Sequence, residues 1–286
     1  MLVSSLSNQS GAAIASVAFP TIGPVGVVAV RQWVAAVLLL AVGRPRLRSF
    51  TAAQWRPVLG LAVVFAAMNL SLYSAIDRIG LGLAVTLEFL GPLTVALAGS
   101  RRRLHLGCAV AAAAAVAVLL RPEPSTDYFG IGLALLAAVC WGCYILLNRT
   151  VGERLPGAQG SAAAALVSGA LYLPIGIAVL LRHRPTPTAA ACALAAGVLS
   201  SAVPFLSDLL ALRRVPAHFF GVFMSVNPVF AALIGLVALG QQLPAVSWLA
   251  VLVIVAANTV AVGTAAHPRR PAKVRKPGGP ARGGGR

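Results

Sequence analysis

A chain of 286 residues that is 59% hydrophobic and only 10% charged lacks the polar surface to coat a water-soluble globule. Its mean hydropathy of +0.88, with 23 Lys and Arg against 6 Asp and Glu, leaves a polytopic membrane protein as the class that fits. The net charge of +17 would suggest nucleic acid in a soluble domain, so here it calls for an account from topology.

A membrane helix takes about 20 mostly apolar residues. Residues 1–266 divide into ten such stretches, near 2–20, 24–43, 56–76, 81–99, 105–121, 130–149, 158–181, 188–212, 217–240 and 244–266. The runs are continuous and Ala/Leu-rich instead of alternating in short segments, which predicts helices and not a β-barrel. In chain order, the second helix carries Arg31, the third Asn69 and Tyr73 one turn apart, and the fourth Glu88 with Pro92 one turn beyond it. The sixth carries Trp141, Tyr144 and Asn148 at spacings of three and four, which places them on one face. Pro204 and Asp208 lie in the eighth helix, and Asn227 and Pro228 in the ninth.

Short cytoplasmic loops retain Lys and Arg. With the N-terminus inside, only Arg78, Arg121, Arg182 and Arg184 fall outside and Arg31 falls within a span; every other basic residue is cytoplasmic. Both termini are therefore expected in the cytoplasm, and most of the positive charge is topological. Segment 267–286 is basic, rich in Pro and Gly and without a periodic apolar face, so it reads as a disordered tail attracted to anionic lipid. The first apolar run has no basic segment before it and no small-residue cleavage site after it, so no cleaved secretory signal is expected.

The segment from Ala75 aligns without gaps on the one from Ala211, a shift of 136 residues that pairs Arg78 with Arg214, Pro92 with Pro228 and Leu97 with Leu233. Five helices separate the two copies, so they have opposite orientations. That is the pattern of inverted repeats packed around a site near the membrane midplane. The resulting division is a first five-helix repeat in 1–121, an outside linker in 122–129, a second repeat in 130–266 and the tail in 267–286.

Ionisable groups in hydrocarbon are costly, which makes each a functional candidate. Glu88 lies about 10 Å down the fourth helix at 1.5 Å per residue and is a candidate to load and release a proton or bind substrate, with a structural hydrogen bond or ion pair as the competing role. Arg31 needs an anionic partner, either Glu88 or a bound carboxylate; the alternative is a side chain that snorkels to the outer interface. Asp208 is a second coupling candidate, against an ion pair with Arg213 at the cytoplasmic surface. Asn69, Tyr73, Trp141, Tyr144, Asn148 and Asn227 are candidates to line a binding cavity, with helix-to-helix hydrogen bonds as the competing role. Pro92, Pro204 and Pro228 mark breaks that free backbone carbonyls. Cys140 and Cys143 form a CxxC, but Trp141 and Gly142 between them lie in a membrane helix, so packing is the better account than redox or metal chemistry. No metal-binding constellation and no GxxxxGK[ST] loop occur, so neither a cofactor nor ATP is expected, and secondary transport remains.

The stretches MNLSLYSAIDRIGLGLAVTLEFLGPLTVAL, AAVCWGCYILLNRTVG and LSSAVPFLSDLLALRRVPAHFFGVFMSVNPVFAALIGLVALGQQL, together with Arg31, resemble the EamA-type branch of the drug/metabolite transporter superfamily, and within it the threonine and homoserine exporters. The resemblance runs from about residue 11 to 264. It implies an all-α integral membrane protein of ten transmembrane helices in two inverted five-helix repeats. It further implies a bacterial cytoplasmic membrane and export of small amino acids or related metabolites against protons. Three departures bear on that expectation. Asn227 and Gln241 stand where the similar exporters usually carry glutamates, and the first helix starts almost at Met1. Two neutral amides leave open an uncoupled exchanger, and aromatic walls leave open an exporter of drugs or larger metabolites. No enzyme activity and no nucleic-acid partner are expected, and the oligomeric state is not indicated.

Overall fold

The computed structural model describes residues 2–98, 103–119, 127–204 and 225–265, and among these every regular element is helical. Asp208 lies outside the described residues, as do the end of the eighth expected span, the start of the ninth, residues 122–126 of the linker and the tail 267–286. The helices are α1 (Leu2–Val17), α2 (Phe19–Gly43), α3 (Ala52–Ile79), α4 (Leu81–Glu88), α5 (Leu90–Ala98), α6 (Arg103–Leu119), α7 (Tyr128–Arg154), α8 (Gln159–His183), α9 (Pro187–Gly197), α10 (Asn227–Leu239) and α11 (Ala245–Ala265). A π-helical stretch, Val198–Ala202, continues α9.

Among the described residues, six helical stretches are long and apolar enough to cross a membrane: α2, α3, α4 with α5, α7, α8 and α11. Shorter apolar helices lie within α6, α9 with the π turn, and α10. Aliphatic side chains in mid-helix, among them Val63, Val139 and Val237, are exposed. Such a surface is a liability in water and costs nothing against lipid tails.

Local chemistry accounts for the places where expected boundaries move. Gly23, at φ 65° and ψ 170°, breaks α2 immediately before Pro24 and turns the chain between the first two expected spans. Helix α3 begins at Ala52, earlier than the expected 56, because Thr51 and Gln54 form a capping box in which the Thr51 N–H donates to Gln54 Oε1 at 2.9 Å. The expected span 81–99 is two pieces that meet at Phe89. Pro92 has no N–H for the carbonyl one turn back, at Glu88. Asn258 of α11 donates to the Phe89 carbonyl at 3.2 Å and so supplies a partner at the join. Asp127 caps α7 by accepting from the Gly130 N–H at 2.8 Å, and it pairs with Arg78 at 2.8 Å. The Gly130 N–H first, and then Arg78, hold the Asp127 carboxyl below its ordinary value.

The helices pack in a consistent order, with α2 along α8, α3 along α7, α6 along α11, α4 against α10 and α1 against α9 and the π turn. Small residues make the closest approaches, as membrane interfaces favour. A Cβ on Gly176 of α8 would stand 2.6 Å from both Ala29 Cβ and Trp33 Cζ2 of α2. Trp33 Nε1 donates to the Gly169 carbonyl at 3.2 Å and ties the same two helices. Gly91 similarly lets α5 lie against the Ala138 carbonyl of α7.

Candidate functional site

The packing leaves a cavity of about 220 Å³ walled by α1, α2, α3, α4, α7, the π turn and the start of α10. Six of the residues singled out from the sequence line it: Arg31, Tyr73, Glu88, Trp141, Pro204 and Asn227. Asn69 stands behind them and positions Arg31. Its Nδ2 donates to the Phe65 carbonyl one turn back at 2.8 Å, which turns its Oδ1 to accept from Arg31 Nη1 at 2.6 Å. Arg31 Nη2 reaches the Ser200 carbonyl at 3.4 Å, and the guanidinium lies 4.9 Å over the ring of Tyr73. The arginine is thus held inside the bundle by neutral acceptors and a π face, with donors of its five-donor fork left over.

Glu88 is buried at the C-terminal end of α4 and shares the cavity with Arg31, yet the two are not within ion-pair distance. Among the described residues no hydrogen bond is made to its carboxylate. The cavity therefore holds a fixed cation and an uncommitted carboxyl in one space, the arrangement that accepts a zwitterion or exchanges a proton. Trp141 packs edge-on against Phe89 with ring centroids 4.6 Å apart, and this pair forms an aromatic wall next to the carboxyl. Tyr73 packs edge-on against Phe19, and its hydroxyl is sealed without a partner among the described residues.

The remaining candidates go elsewhere. Tyr144 packs on Phe65 with centroids 5.9 Å apart, and Asn148 Oδ1 accepts from Ser161 Oγ at 3.3 Å; neither lines the cavity. Pro92 lies in the first turn of α5, and Pro228 at the start of α10 after a turn at Ser225–Val226. Gln241 belongs to a different recess, with Asp77, Arg78 and Gln242. Its Oε1 accepts from the Leu81 N–H at 2.9 Å and so caps the start of α4. No group of three or more His, Cys, Asp and Glu among the described residues is placed to hold a metal ion.

Sequence reasoning missed the contribution of α1. Ser4, Ser5, Asn8 and Gln9 line the cavity from one face of that helix. The sequence shows polar residues on all sides of this end of the helix, Ser7 and Ser10 included, so spacing alone did not single out the four that face inward. Gln9 Nε2 reaches Asn227 Oδ1 at 3.4 Å, Ser7 Oγ donates to the Leu199 carbonyl at 2.8 Å, and Ser200 Oγ donates to the Asn8 carbonyl at 3.2 Å. The π turn makes the Ser7 contact available, because i→i+5 geometry shifts carbonyls such as that of Leu199 out of the regular ladder.

Comparison with known proteins gives consistent results. The profile of a family described as the EamA-like transporter family matches residues 128–262. The threonine/homoserine exporter RhtA of Salmonella typhimurium is 35% identical over 265 residues, which is 90% of this chain and 88% of that protein. RhtA of Escherichia coli K12 is 33% identical over 279 residues, which is 96% and 93% of the respective chains. A protein of known crystal structure superposes with a TM-score of 0.60 at 19% identity, over 92% of this chain and 96% of its own, and shares the fold.

Proposed function

Because the chain belongs to the EamA-like transporter family, and is a multi-pass membrane transporter and not an enzyme, we propose that it exports small amino acids of the threonine and homoserine kind by proton antiport. The observation that carries this reading is the coexistence of Arg31 and Glu88 in one cavity without an ion pair between them. The Arg31 fork holds the solute carboxylate. Glu88 holds its ammonium when ionised and releases it when protonated, so a proton entering from outside and the departing solute compete for the same carboxyl. A cavity of about 220 Å³ favours a solute of amino-acid size over drugs, whose pockets run from about 300 Å³ upward. The neutral Gln9–Asn227 pair favours, as a second reading, an exchanger of the same solutes without net proton movement.

The same proposal includes the architecture. The pairing of α2 with α8, α6 with α11 and α4 with α10 matches helices five spans apart, as two inverted five-helix repeats require, and it supports a ten-span protein divided near residues 122–129. The basic loops support cytoplasmic termini in a bacterial cytoplasmic membrane. Pro92 and Pro228 act as paired helix breaks beside the cavity. Trp141, Tyr73 and Asn227 wall the cavity, Asn69 orients Arg31, and Tyr144 and Asn148 support the α3–α7 and α7–α8 contacts. Asp208 is assigned a secondary coupling role by its place in the eighth span.

The test is uptake of labelled threonine and homoserine into everted membrane vesicles with and without an inside-acid gradient, for wild type and Glu88→Gln. Gradient-driven uptake in wild type that falls tenfold or more in the inserted variant is the expected outcome. Equal stimulation of both proteins by the gradient would remove Glu88 from coupling. Uptake insensitive to the gradient in wild type would favour the exchanger.

A further inference from the structure

The amino-acid reading assigns the charged ends of the solute and leaves its side chain unread. The polar face of α1 is unassigned by that reading and lies in the same cavity. Ser4, Ser5 and Gln9 are 1%, 3% and 3% exposed, so each is withdrawn from bulk water. Among the described residues neither serine hydroxyl has a hydrogen-bond partner, and Gln9 has only the long 3.4 Å contact from its Nε2 to Asn227 Oδ1. Their oxygens are not among the sealed, unpartnered atoms of the protein, so they look into the cavity. Buried polar side chains are costly unless they are satisfied. The neighbouring Ser7 and Ser200 show how that is done here, by donating to carbonyls of the π turn and of α1. Ser4 and Ser5 do neither, and what satisfies them must come from the cavity's contents.

We propose that α1 carries a hydroxyl-reading subsite, with Ser4, Ser5 and Gln9 as specificity-determining residues that select α-amino acids bearing a short hydroxylated side chain over apolar isosteres. This rests on the amino-acid reading of the cavity and deepens it. The physical reason is asymmetric. A hydroxyl bound among these groups satisfies them, whereas a methyl in its place displaces cavity water and leaves buried donors and acceptors unpaired. An apolar pocket has no such penalty and discriminates a hydroxyl from a methyl only weakly.

The experiment is competition against labelled homoserine uptake in everted vesicles, with two isosteric pairs as probes: threonine against valine, and homoserine against norvaline. The readout is the ratio of concentrations that halve uptake, which does not depend on expression level. Wild type is expected to prefer the hydroxylated member of each pair at least tenfold. Gln9→Met, which keeps length and removes the amide, and Ser5→Ala, which leaves the Gln9–Asn227 contact in place, should each bring the ratio toward unity, and the double variant should abolish the preference. Equal competition within each pair by wild type, or a double variant that keeps the wild-type ratio, would overturn the inference while amino-acid export stands. Absence of any amino-acid uptake by correctly inserted wild type would overturn the export reading, and this inference with it.

Discussion

The face that α1 turns to the cavity and the face that α2 turns to α8 are both buried, and they are built from opposite choices. Along α2 and α8 the contact is made by Ala29, Trp33, Gly169 and Gly176, with no room for a methyl at Gly176 and little at Gly169. Along α1 the contact is made by serines, an asparagine and a glutamine around open space, and only some of these groups hydrogen-bond to a neighbouring helix. In a bilayer there is no hydrophobic drive to bring helices together, so close van der Waals packing at small residues has to do it. The close seam fixes the frame, and the α1 wall, as proposed, is left to serve a solute.

The largest expected effect comes from forcing volume into the seam. Gly176→Val puts branched carbons where Ala29 and Trp33 already stand, and overpacking of this kind costs about 1–3 kcal/mol or more where neither side can move. The expected result is loss of monodisperse protein on size-exclusion chromatography in mild detergent; a normal profile would show that α2 and α8 can separate. Next is Arg31→Lys, which keeps the charge and loses the planar fork and the stacking on Tyr73. Transport should fall about 100-fold, the equivalent of one bidentate pair at about 2–3 kcal/mol, with insertion and thermal stability near wild type. Wild-type rates would show that only charge matters at this position.

The smallest effect separates two serines that both lack partners. Ser168 on α8 is fully sealed, and its Oγ has no hydrogen bond among the described residues. Ser168→Ala should leave transport unchanged and raise stability by up to about 1 kcal/mol, read as thermal unfolding in detergent, because it removes a desolvated hydroxyl that gains nothing. Ser5→Ala, in the cavity, should leave stability unchanged and alter selectivity. If the two variants behave alike, the distinction between the regions fails.

Much of the cavity was legible in the sequence because intramembrane polar groups are rare and expensive, so Arg31, Glu88, Asn227 and Trp141 stood out one by one. Spacing was a weaker guide. Tyr144 and Asn148 share a helical stripe with Trp141, but they lie progressively farther along α7, where that face meets Phe65 of α3 and Ser161 of α8. A stripe gives direction around a helix and says nothing of where along it the neighbours change. Ser4, Ser5 and Gln9 escaped notice for a different reason: small polar residues near a helix end have an ordinary interfacial use, and only the tertiary fold shows that this end faces inward. The role of Gln241 was likewise invisible, since its partner Leu81 is 160 residues away.

The junction at Gly80 has a consequence for how the protein is made. This single residue, at φ 82° and ψ 163°, ends α3 and begins α4, so two antiparallel stretches of membrane helix are joined by a loop of one residue. The entropy of closing a loop grows with its length, and here there is almost none to lose. The α3–α4 hairpin can therefore form as soon as its second arm leaves the ribosome, before α7, α8 or α10 exists. It would enter the bilayer as one preassembled wedge that already carries Asn69, Tyr73 and Glu88 in register, so that later helices meet a partly built site.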